Sequence, residues 1–348
     1  MAKVKSVVGL DIGSKSVKAV ELTPVGSGYV VTGYASRELA GPDESALKET
    51  LKEMFSGNHF KTKKVVTSVS GRSVIVRYIA MPEMANDELK NAIKYEASKY
   101  IPFEVEEVVI DCQRLEAGQK SAEKDKAPAK EMRVLLVAAK RAMIDKHVGL
   151  LEDSGLWPLV IDVDSFALGN ALELHRTLSS EPIPADKTIA LIDIGASKTN
   201  INIIQDNISY FTREIYIAGN DFTDAITKKL GCEPIEAEKI KRAPENRSDE
   251  VKEVVSSMLE DLCHEIHLSL DYFENQFDKS VDYLYLSGGG ALLIGLDEVF
   301  EKTFDKRPVR WNPFEHLNID TTQVNQDDIR KQFSQLTIAV GLAARIGG

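Results

Sequence analysis

Two segments of the chain repeat one pattern, and this repeat constrains the fold more than any other feature of the sequence. The first segment reads VVGLDIGSKSVKAVEL (residues 7–22) and the second reads IALIDIGASKTNINII (residues 189–204). In each, an apolar strand leads into Asp-Ile-Gly, then come small and hydroxyl residues with a lysine, and then a second apolar strand. The triplets begin at Asp11 and Asp193, which are 182 positions apart. A repeat on this scale predicts two homologous halves rather than one irregular domain.

Each Asp-Ile-Gly turn is a candidate phosphate loop. Glycine allows close approach of the backbone to a ligand, and successive amide N–H groups in such a turn form an anion-binding nest. Asp11 and Asp193 would repel a phosphate, so their sensible use is to hold Mg²⁺ through water beside a nucleotide. A plain hairpin turn explains either loop when it is taken alone.

A third glycine loop lies in YLSGGGALLIGL (residues 285–296), between a predicted strand and a predicted helix. Gly288, Gly289 and Gly290 would present a flat backbone surface against which a purine and its ribose can lie. A helix-entry turn is the alternative for this loop alone. Three such loops in this order favour a nucleotide site.

Composition excludes several classes of function. The net charge of −11 argues against a surface that coats nucleic acid. The three cysteines, Cys112, Cys232 and Cys263, form no C-x-x-C pattern, which argues against a disulfide or zinc framework and favours a reducing cytoplasm. No apolar stretch approaches the ~20 residues of a membrane helix and no signal peptide begins the chain, so the sequence predicts no direct membrane insertion.

A small α+β insert is predicted between the two repeats, over residues 81–155. Its first helix follows Asn86, a possible N-cap, and should end at Ile101, before a proline. The stretch EAGQKSAEKDKAPAKE (residues 116–131) has no apolar periodicity and predicts a mobile hairpin loop. In the second half, apolar residues at helical spacing predict one long helix over residues 251–277.

The three loops together resemble the motifs of the actin-like ATPase superfamily, which includes actin, sugar kinases, heat-shock chaperones and the cell-division protein FtsA. The resemblance implies an α/β fold with two homologous domains around a nucleotide cleft, and ATP and Mg²⁺ as cofactors. It implies that Asp11 and Asp193 hold the magnesium, and that the glycine triplet faces the adenosine. The residues that it places at the phosphates are Gly13, Ser14, Lys15, Ser16, Gly195, Ala196, Ser197 and Lys198.

A narrower resemblance covers nearly the whole chain. The first repeat, the insert beginning MPEMANDELKNAIKYEASKYIPF, the phrase DVDSFALGNAL, the NPF at residues 312–314 and the closing AVGLAAR are together similar to the PilM family of type IV pilus assembly proteins. The resemblance implies a cytoplasmic ATP-binding scaffold with weak or no ATPase activity, peripheral to the inner membrane through its partners. Those partners would be the N-terminal cytoplasmic peptide of PilN, in a groove between core and insert, and other inner-membrane components and assembly ATPases of the pilus.

The resemblance also implies a division into subdomains. The first core domain would comprise residues 1–80 and 156–187, and the FtsA- and PilM-type insert would comprise residues 81–155. The second core domain would comprise residues 188–217 and 279–320, and its helical subdomain residues 218–278. Residues 321–348 would form a C-terminal helix that returns to the first domain.

Four side chains are individual candidates for a role at the site. Asp164 follows a strand and opens a helix, where it could act as a general base or simply as a helix N-cap. Glu265 lies on the long helix and could contact the ribose, or be an ordinary exposed glutamate. Lys15 and Lys198 are expected to occupy matching places in the two repeats, each after a phosphate loop to which it would supply positive charge.

Two other functions remain open at this point. A small-molecule kinase of the same superfamily would use Asp164 as its base, although no second polar cluster resembling a sugar site accompanies it. An FtsA-like filament-forming protein is the other alternative, although the sequence contains no membrane helix of the kind expected of FtsA.

Overall fold

The structure is a computed structural model that describes residues 6–26, 28–41, 43–57, 59–115 and 131–345. The predicted loop at 116–131 falls outside the described residues, apart from Glu131. The chain divides into two compact units, of which the larger contains residues up to Ser68 and those from Ser154 onward. The smaller unit is Val69–Asp153.

Helices and strands are mixed along the whole chain. The strands are β1 (Val7–Ile12), β2 (Ser16–Val25), β3 (Gly28–Glu38), β4 (Lys64–Val69), β5 (Val74–Pro82), β6 (Val108–Leu115), β7 (Glu131–Lys140), β8 (Trp157–Val163), β9 (Ile189–Ile194), β10 (Thr199–Gln205), β11 (Ile208–Ile215), β12 (Tyr283–Ser287), β13 (Val309–Arg310) and β14 (Asn318–Ile319). The helices are α1 (Glu44–Ser56), α2 (Asn86–Glu96), α3 (Arg141–Asp153), α4 (Asp164–Leu178), α5 (Gly219–Leu230), α6 (Pro234–Arg242), α7 (Ser248–Phe277), α8 (Leu296–Phe304), α9 (Gln326–Gln332) and α10 (Thr337–Ala344).

The repeat seen in the sequence is also a repeat of topology. The first sheet has the strand order β14-β3-β2-β1-β4-β8, and the second has the order β11-β10-β9-β12-β13. In both, the first three strands of the half form an antiparallel meander, and a later strand, β4 or β12, pairs in parallel with the strand that carries the Asp-Ile-Gly triplet. Equivalent loops of the two halves therefore follow equivalent strands.

Two helices pack between the sheets of the larger unit. Apolar side chains of α4 and α10 share one buried cluster with residues of β1, β4 and β9. The close packing needs glycine, because a Cβ added to Gly9 would lie 1.9 Å from the carbonyl oxygen of Ala339, and one added to Gly341 would lie 1.8 Å from that of Ala167. The C-terminal helix is thus part of the core that supports the first repeat.

The smaller unit is a three-stranded antiparallel sheet with order β5-β7-β6, accompanied by α2 and α3. Its own core contains apolar side chains of α2 and of all three strands. The predicted α2 is shorter than expected, because its last turn tightens into a 3-10 turn over Ala97–Lys99. Asn86 is its first helical residue, and the N-cap is Ala85, whose N–H donates to Glu88.

The long helix predicted over residues 251–277 is confirmed as α7, which begins three residues earlier, at Ser248. The short strands β13 and β14 and the helix α9 have no counterpart in the sequence-based predictions. None of the helices in the described part of the chain combines the length and the apolar character needed to cross a membrane.

Candidate functional site

A cavity of about 460 Å³ in the larger unit brings the three glycine loops together. This volume lies within the range of small-molecule and cofactor sites. The predicted site residues that line it are Asp11, Gly13, Ser14, Lys15, Ser16, Asp164, Asp193, Gly195, Ala196, Ser197, Lys198, Gly288, Gly289 and Gly290. Residues as far apart in the chain as Asp11 and Gly290 therefore meet at one site.

The two Asp-Ile-Gly loops have the same turn. The N–H of Gly13 donates to the carbonyl oxygen of Ser16 at 3.0 Å, and the N–H of Gly195 donates to that of Lys198 at 3.0 Å. This match makes Ser16, and not Lys15, the equivalent of Lys198. The prediction that Lys15 and Lys198 occupy matching places is therefore wrong, because one more residue separates Lys198 from its Asp-Ile-Gly triplet.

Asp11 and Asp193 are both buried, but they have different partners. Asp11 accepts a hydrogen bond from Lys18 Nζ at 2.8 Å, because the antiparallel register places Lys18 of β2 directly opposite Asp11 of β1. Asp193 accepts one from Ser287 Oγ at 2.8 Å, across the parallel pairing with β12. Burial raises the pKa of Asp193 to about 6, and it also raises the pKa of Asp11 despite the attraction of Lys18.

Asn200 faces Asp193 in the β9–β10 register, at the place that Lys18 has in the first half. Its side chain is 2% exposed and lines the cavity. Its Oδ1 is buried and accepts no hydrogen bond within the described residues. A buried acceptor without a donor is costly, so this atom points to a ligand or solvent donor in the cavity.

Asp164 is the first residue of α4, and its carboxylate is tied to both halves. Ser68 Oγ donates to Asp164 Oδ1 at 2.6 Å, and Lys198 Nζ lies 2.9 Å from Oδ2. Lys198 also lies 3.1 Å from Glu214 Oε1. Burial alone would lower the pKa of Lys198, but the two carboxylates raise it above its usual value, so the lysine is charged. The residue at the N-cap position of α4 is Val163.

The glycine triplet is required by packing as well as by any ligand. Gly288 has φ of +84°, and a Cβ there would lie 2.3 Å from the carbonyl oxygen of Ile194. A Cβ on Gly290 would lie 2.3 Å from Ile194 Cγ2. Gly289 is different, because the nearest atom to its added Cβ is a side-chain carbon of Gln335 at 3.6 Å. Two of the three glycines therefore let the loop pack onto the end of β9.

A group of charged residues at the cavity centres on Glu238 of α6. Glu238 Oε2 lies 2.7 Å from Lys241 Nζ and 3.7 Å from Lys15 Nζ, and it accepts a hydrogen bond from Thr223 Oγ1 at 2.6 Å. Arg242 pairs with Glu238 at 2.8 Å and with Glu38 of β3 at 2.7 Å. Lys15 and Glu38 both belong to the first half of the chain, so these ion pairs join the two halves beside the cavity.

Replacing Glu238 by glutamine should reduce stability in a pH-dependent way. Burial opposes ionisation, but hydrogen bonds from Lys241, Thr223 and Arg242 outweigh it and lower the pKa of Glu238 from 4.5 to about 2. The ionised carboxylate therefore stabilises the fold above pH 4.5, and this stabilisation is lost as the pH falls toward 2. Burial lowers the pKa of Lys241, and solvent screens the ion pairs of Glu238. We therefore expect the free energy of unfolding to fall by only about 1–2 kcal/mol at pH 7.

Urea unfolding at several pH values would measure this effect. The difference between wild type and Glu238→Gln should shrink between pH 4.5 and 2. The exposed Glu236 on the same helix provides the control, and Glu236→Gln should change stability little at any pH. A Glu238→Gln difference that stays constant with pH would contradict the assigned ion pairs.

Glu265 is the one predicted site residue that does not line the cavity. Its Oε2 accepts a hydrogen bond from Arg213 Nη2 of β11 at 2.6 Å. Arg213 also donates to Ser269 Oγ at 3.0 Å, one turn further along α7. The structure thus gives Glu265 a helix-to-strand contact in place of a position at the cavity.

Sequence reasoning missed several residues that complete the site. Lys18 and Asn200 could have been found by pairing the strands on either side of each turn, which sets both residues opposite an aspartate. Ser68 is the second-last residue of β4 and Ser287 is the last residue of β12, and both strands run parallel to an aspartate-bearing strand. This could be recognised only after β4 and β12 had been aligned. No sequence motif marks Glu238, because it is one of several charged residues on a short surface helix.

A family model described as type IV pilus assembly protein PilM matches residues 9–346. The chain belongs to this family. This match confirms the resemblance to the PilM family that the sequence motifs predicted.

Solved structures extend this comparison. The chain is similar to one in a structure described as the PilM-PilN type IV pilus biogenesis complex, with 28% identity, a TM-score of 0.84 and 99% of each chain covered. It is also similar to the ethanolamine utilization protein EutJ from Carboxydothermus hydrogenoformans, with 14% identity, a TM-score of 0.55 and coverage of 97% of this chain and 89% of that one.

A third similar structure is MreB 5 of Spiroplasma citri bound to AMPPNP, with 14% identity and a TM-score of 0.50. The match covers 97% of this chain and 95% of that chain. Together with the PilM match, these likenesses confirm the actin-like ATPase fold that the sequence predicts.

Proposed function

We propose that this PilM family member is an ATP-binding scaffold of the type IV pilus inner-membrane complex, and that it receives the N-terminal cytoplasmic peptide of PilN. The observation that carries the nucleotide part is the cavity at which both Asp-Ile-Gly loops and the glycine triplet meet. The similarity to a chain of the PilM-PilN complex over 99% of both chains supports the partner. The partner would hold the protein at the inner membrane.

The charges in the cavity suit a polyphosphate. The loops Gly13–Ser16 and Gly195–Lys198 would surround the phosphates with their backbone amides. Lys198 is held by two carboxylates. Lys15 is less tightly paired, since 41% of its side chain is exposed and its contact with Glu238 is long at 3.7 Å. We propose that Lys198 stays in place and supplies positive charge to the phosphates. Lys15 would leave Glu238 and pair with the nucleotide when the nucleotide binds.

The adenosine would lie against the glycine triplet. Gly289 is the member with free space at its Cβ position, with Gln335 nearby. Gly288 and Gly290 would hold the loop against Ile194, so that its backbone surface stays level. We therefore assign Gly289 the direct contact with the nucleoside.

The residues fit a hydrated Mg²⁺, which would neutralise the phosphates when bound. Asp193 is a buried carboxylate that no lysine contacts in the described structure, and the unpaired Oδ1 of Asn200 lies on the same face. Both could accept hydrogen bonds from water bound to the ion. Asp11 is already paired with Lys18, so we assign it a smaller share in holding Mg²⁺.

Asp164 stays the candidate for a catalytic role. Ser68 donates to one of its oxygens and Lys198 lies beside the other, so a water molecule that approaches Asp164 must compete with two donors already in place. This arrangement supports slow or absent hydrolysis, as the resemblance implies. A protein that retains ATP is suited to a scaffold whose bound state is read by a partner.

The subdomain boundaries given from the sequence stay part of this proposal. In it, the α+β segment forms the PilM-type insert, and α5, α6 and α7 form the helical subdomain of the second half.

A pull-down from the membrane fraction of the host tests the proposal. Wild-type protein with Mg-ATP should recover PilN together with other pilus components. A Lys15→Ala, Asp193→Ala double variant should recover less, while Glu265→Gln should match wild type. Recovery of no pilus component by wild type would contradict the proposal.

A further inference from the structure

A cluster of two histidines and a glutamate lies in the larger unit, and none of its members lines the nucleotide cavity. One ligand atom from each of His175, Glu315 and His316 lies within 4.8 Å of the other two. Within the described part of the chain, no other three His, Cys, Asp or Glu side chains approach so closely. The three residues come from α4 and from the segment between β13 and β14.

We propose that His175, Glu315 and His316 bind a divalent transition metal ion of the Zn²⁺ type. Two imidazoles and a carboxylate form a donor set that suits Zn²⁺ and leaves a fourth position for water. Mg²⁺ and Ca²⁺ prefer oxygen ligands, so this cluster should discriminate against them. The proposed site is chemically unlike the all-oxygen site at Asp193.

The backbone on both sides of Glu315 and His316 is fixed by buried residues. Trp311, Phe314 and Leu317 are 2%, 5% and 9% exposed, and the last two pack in the core around α10. The N–H of Trp311 donates to the carbonyl oxygen of Leu286, and that of Leu317 to the carbonyl oxygen of Phe314. Ligands on a fixed backbone lose little entropy when they bind a metal ion.

His175 is held in place by the helix α4 and by two neighbouring rings. It lies in the last turn of α4, its ring contacts the edge of Trp311 at a centroid distance of 6.4 Å, and it tilts against the ring of His316 at 4.7 Å. The neighbouring Arg176 donates through Nη1 to Asn207 at 2.7 Å. These contacts keep the His175 ring beside His316, where both imidazoles can reach one metal ion.

A modest side-chain movement would complete the coordination. Ligand atoms around a tetrahedral Zn²⁺ lie about 3.3 Å apart, because each bond is about 2.0–2.1 Å long. The longest separation in the cluster must therefore shorten by at most about 1.5 Å. Glu315 is exposed, so its side chain can rotate toward the two imidazoles.

The position of the cluster suggests what the metal ion would do. The segment between β13 and β14 carries the chain from the second sheet back to the first. A metal ion bound by this segment and by α4 would tie the crossing to the helix that begins at Asp164. Bound Zn²⁺ should therefore stabilise the larger unit against unfolding.

Equilibrium dialysis with ZnCl₂ tests the proposal, using chelator-treated full-length protein without a polyhistidine tag. Wild type should bind one Zn²⁺ per chain at this site and show a raised Tm. His316→Ala should lose at least about tenfold in affinity. Glu315→Gln, which changes an exposed side chain and should fold normally, should also weaken binding and remove most of the rise in Tm.

His267 provides the matched control. It is an exposed histidine whose Nε2 lies 3.4 Å from Asp271, and within the described residues it belongs to no three-membered cluster of this kind. His267→Ala should bind Zn²⁺ like wild type. The proposal would be overturned if wild type bound no Zn²⁺, or if folded His316→Ala and Glu315→Gln both bound it as tightly as wild type.

Discussion

Replacing Asp193 by asparagine is expected to remove most of the effect of Mg²⁺ on ATP affinity. Asparagine keeps an oxygen that can accept the hydrogen bond from Ser287 Oγ, so the strand pairing around it should survive. The substitution removes the negative charge that faces the cavity beside Asn200. Charge-assisted contacts of this kind contribute about 1.5–3 kcal/mol, so affinity in the presence of Mg²⁺ should fall roughly 10- to 100-fold.

Calorimetric titration of ATP with and without Mg²⁺ would measure this loss. In wild type, Mg²⁺ should strengthen ATP binding, and in Asp193→Asn it should do so only weakly. Stability should not suffer, because burial already raises the pKa of Asp193 to about 6 and so disfavours its charge. Glu265→Gln is the control that should behave as wild type, since Glu265 does not line the cavity. An equal gain from Mg²⁺ in wild type and Asp193→Asn would contradict the assigned role.

Replacing Gly341 by alanine is expected to destabilise the larger unit by about 3 kcal/mol or more. The added Cβ would lie 1.8 Å from the carbonyl oxygen of Ala167 and 2.7 Å from its carbonyl carbon. Because these atoms belong to the backbone of α4, no rotation of a side chain can relieve the contact. The helices α4 and α10 would have to separate, which would disturb the buried cluster that they share with both sheets.

Gly149 is a matched control, because it too is a helical glycine. A Cβ added to it meets no atom within 4 Å, apart from neighbours in its own helix. Gly149→Ala in α3 should therefore be neutral or stabilise by up to about 1 kcal/mol, as alanine is the better helix former. Thermal unfolding of both variants would compare them, and similar Tm values for Gly341→Ala and wild type would contradict the tight packing of α10.

The repeated motifs predicted much of the fold because they encode strand, turn and strand locally. Strands around Asp11 and Asp193 alternate with glycine turns in a way that the sequence displays directly, and the structure confirms both hairpins. The long α7 was predictable for a similar reason, since its apolar face repeats at helical spacing. Helix α2 was overestimated at its C-terminus, where tertiary packing and a proline favour a 3-10 turn.

The partners of the charged residues could not be predicted from local pattern. Lys198 contacts Asp164 and Glu214, which lie on different elements, and Glu38 reaches Arg242 from 204 positions away. Such pairs depend on how strands and helices meet in space. The packing of the glycine triplet against Ile194 could not be predicted either, because it depends on the pairing of β9 with β12.

The most direct test of the account is a titration of the N-terminal cytoplasmic PilN peptide into the protein in two states, free of nucleotide and loaded with Mg-ATP. If ATP in the cavity sets the state that the partner reads, the two affinities should differ by at least about fivefold, and the peptide should change ATP affinity by the same factor. The coupling should be lost in Asp193→Asn. Equal peptide affinities in the two states, or no binding in either, would contradict the account.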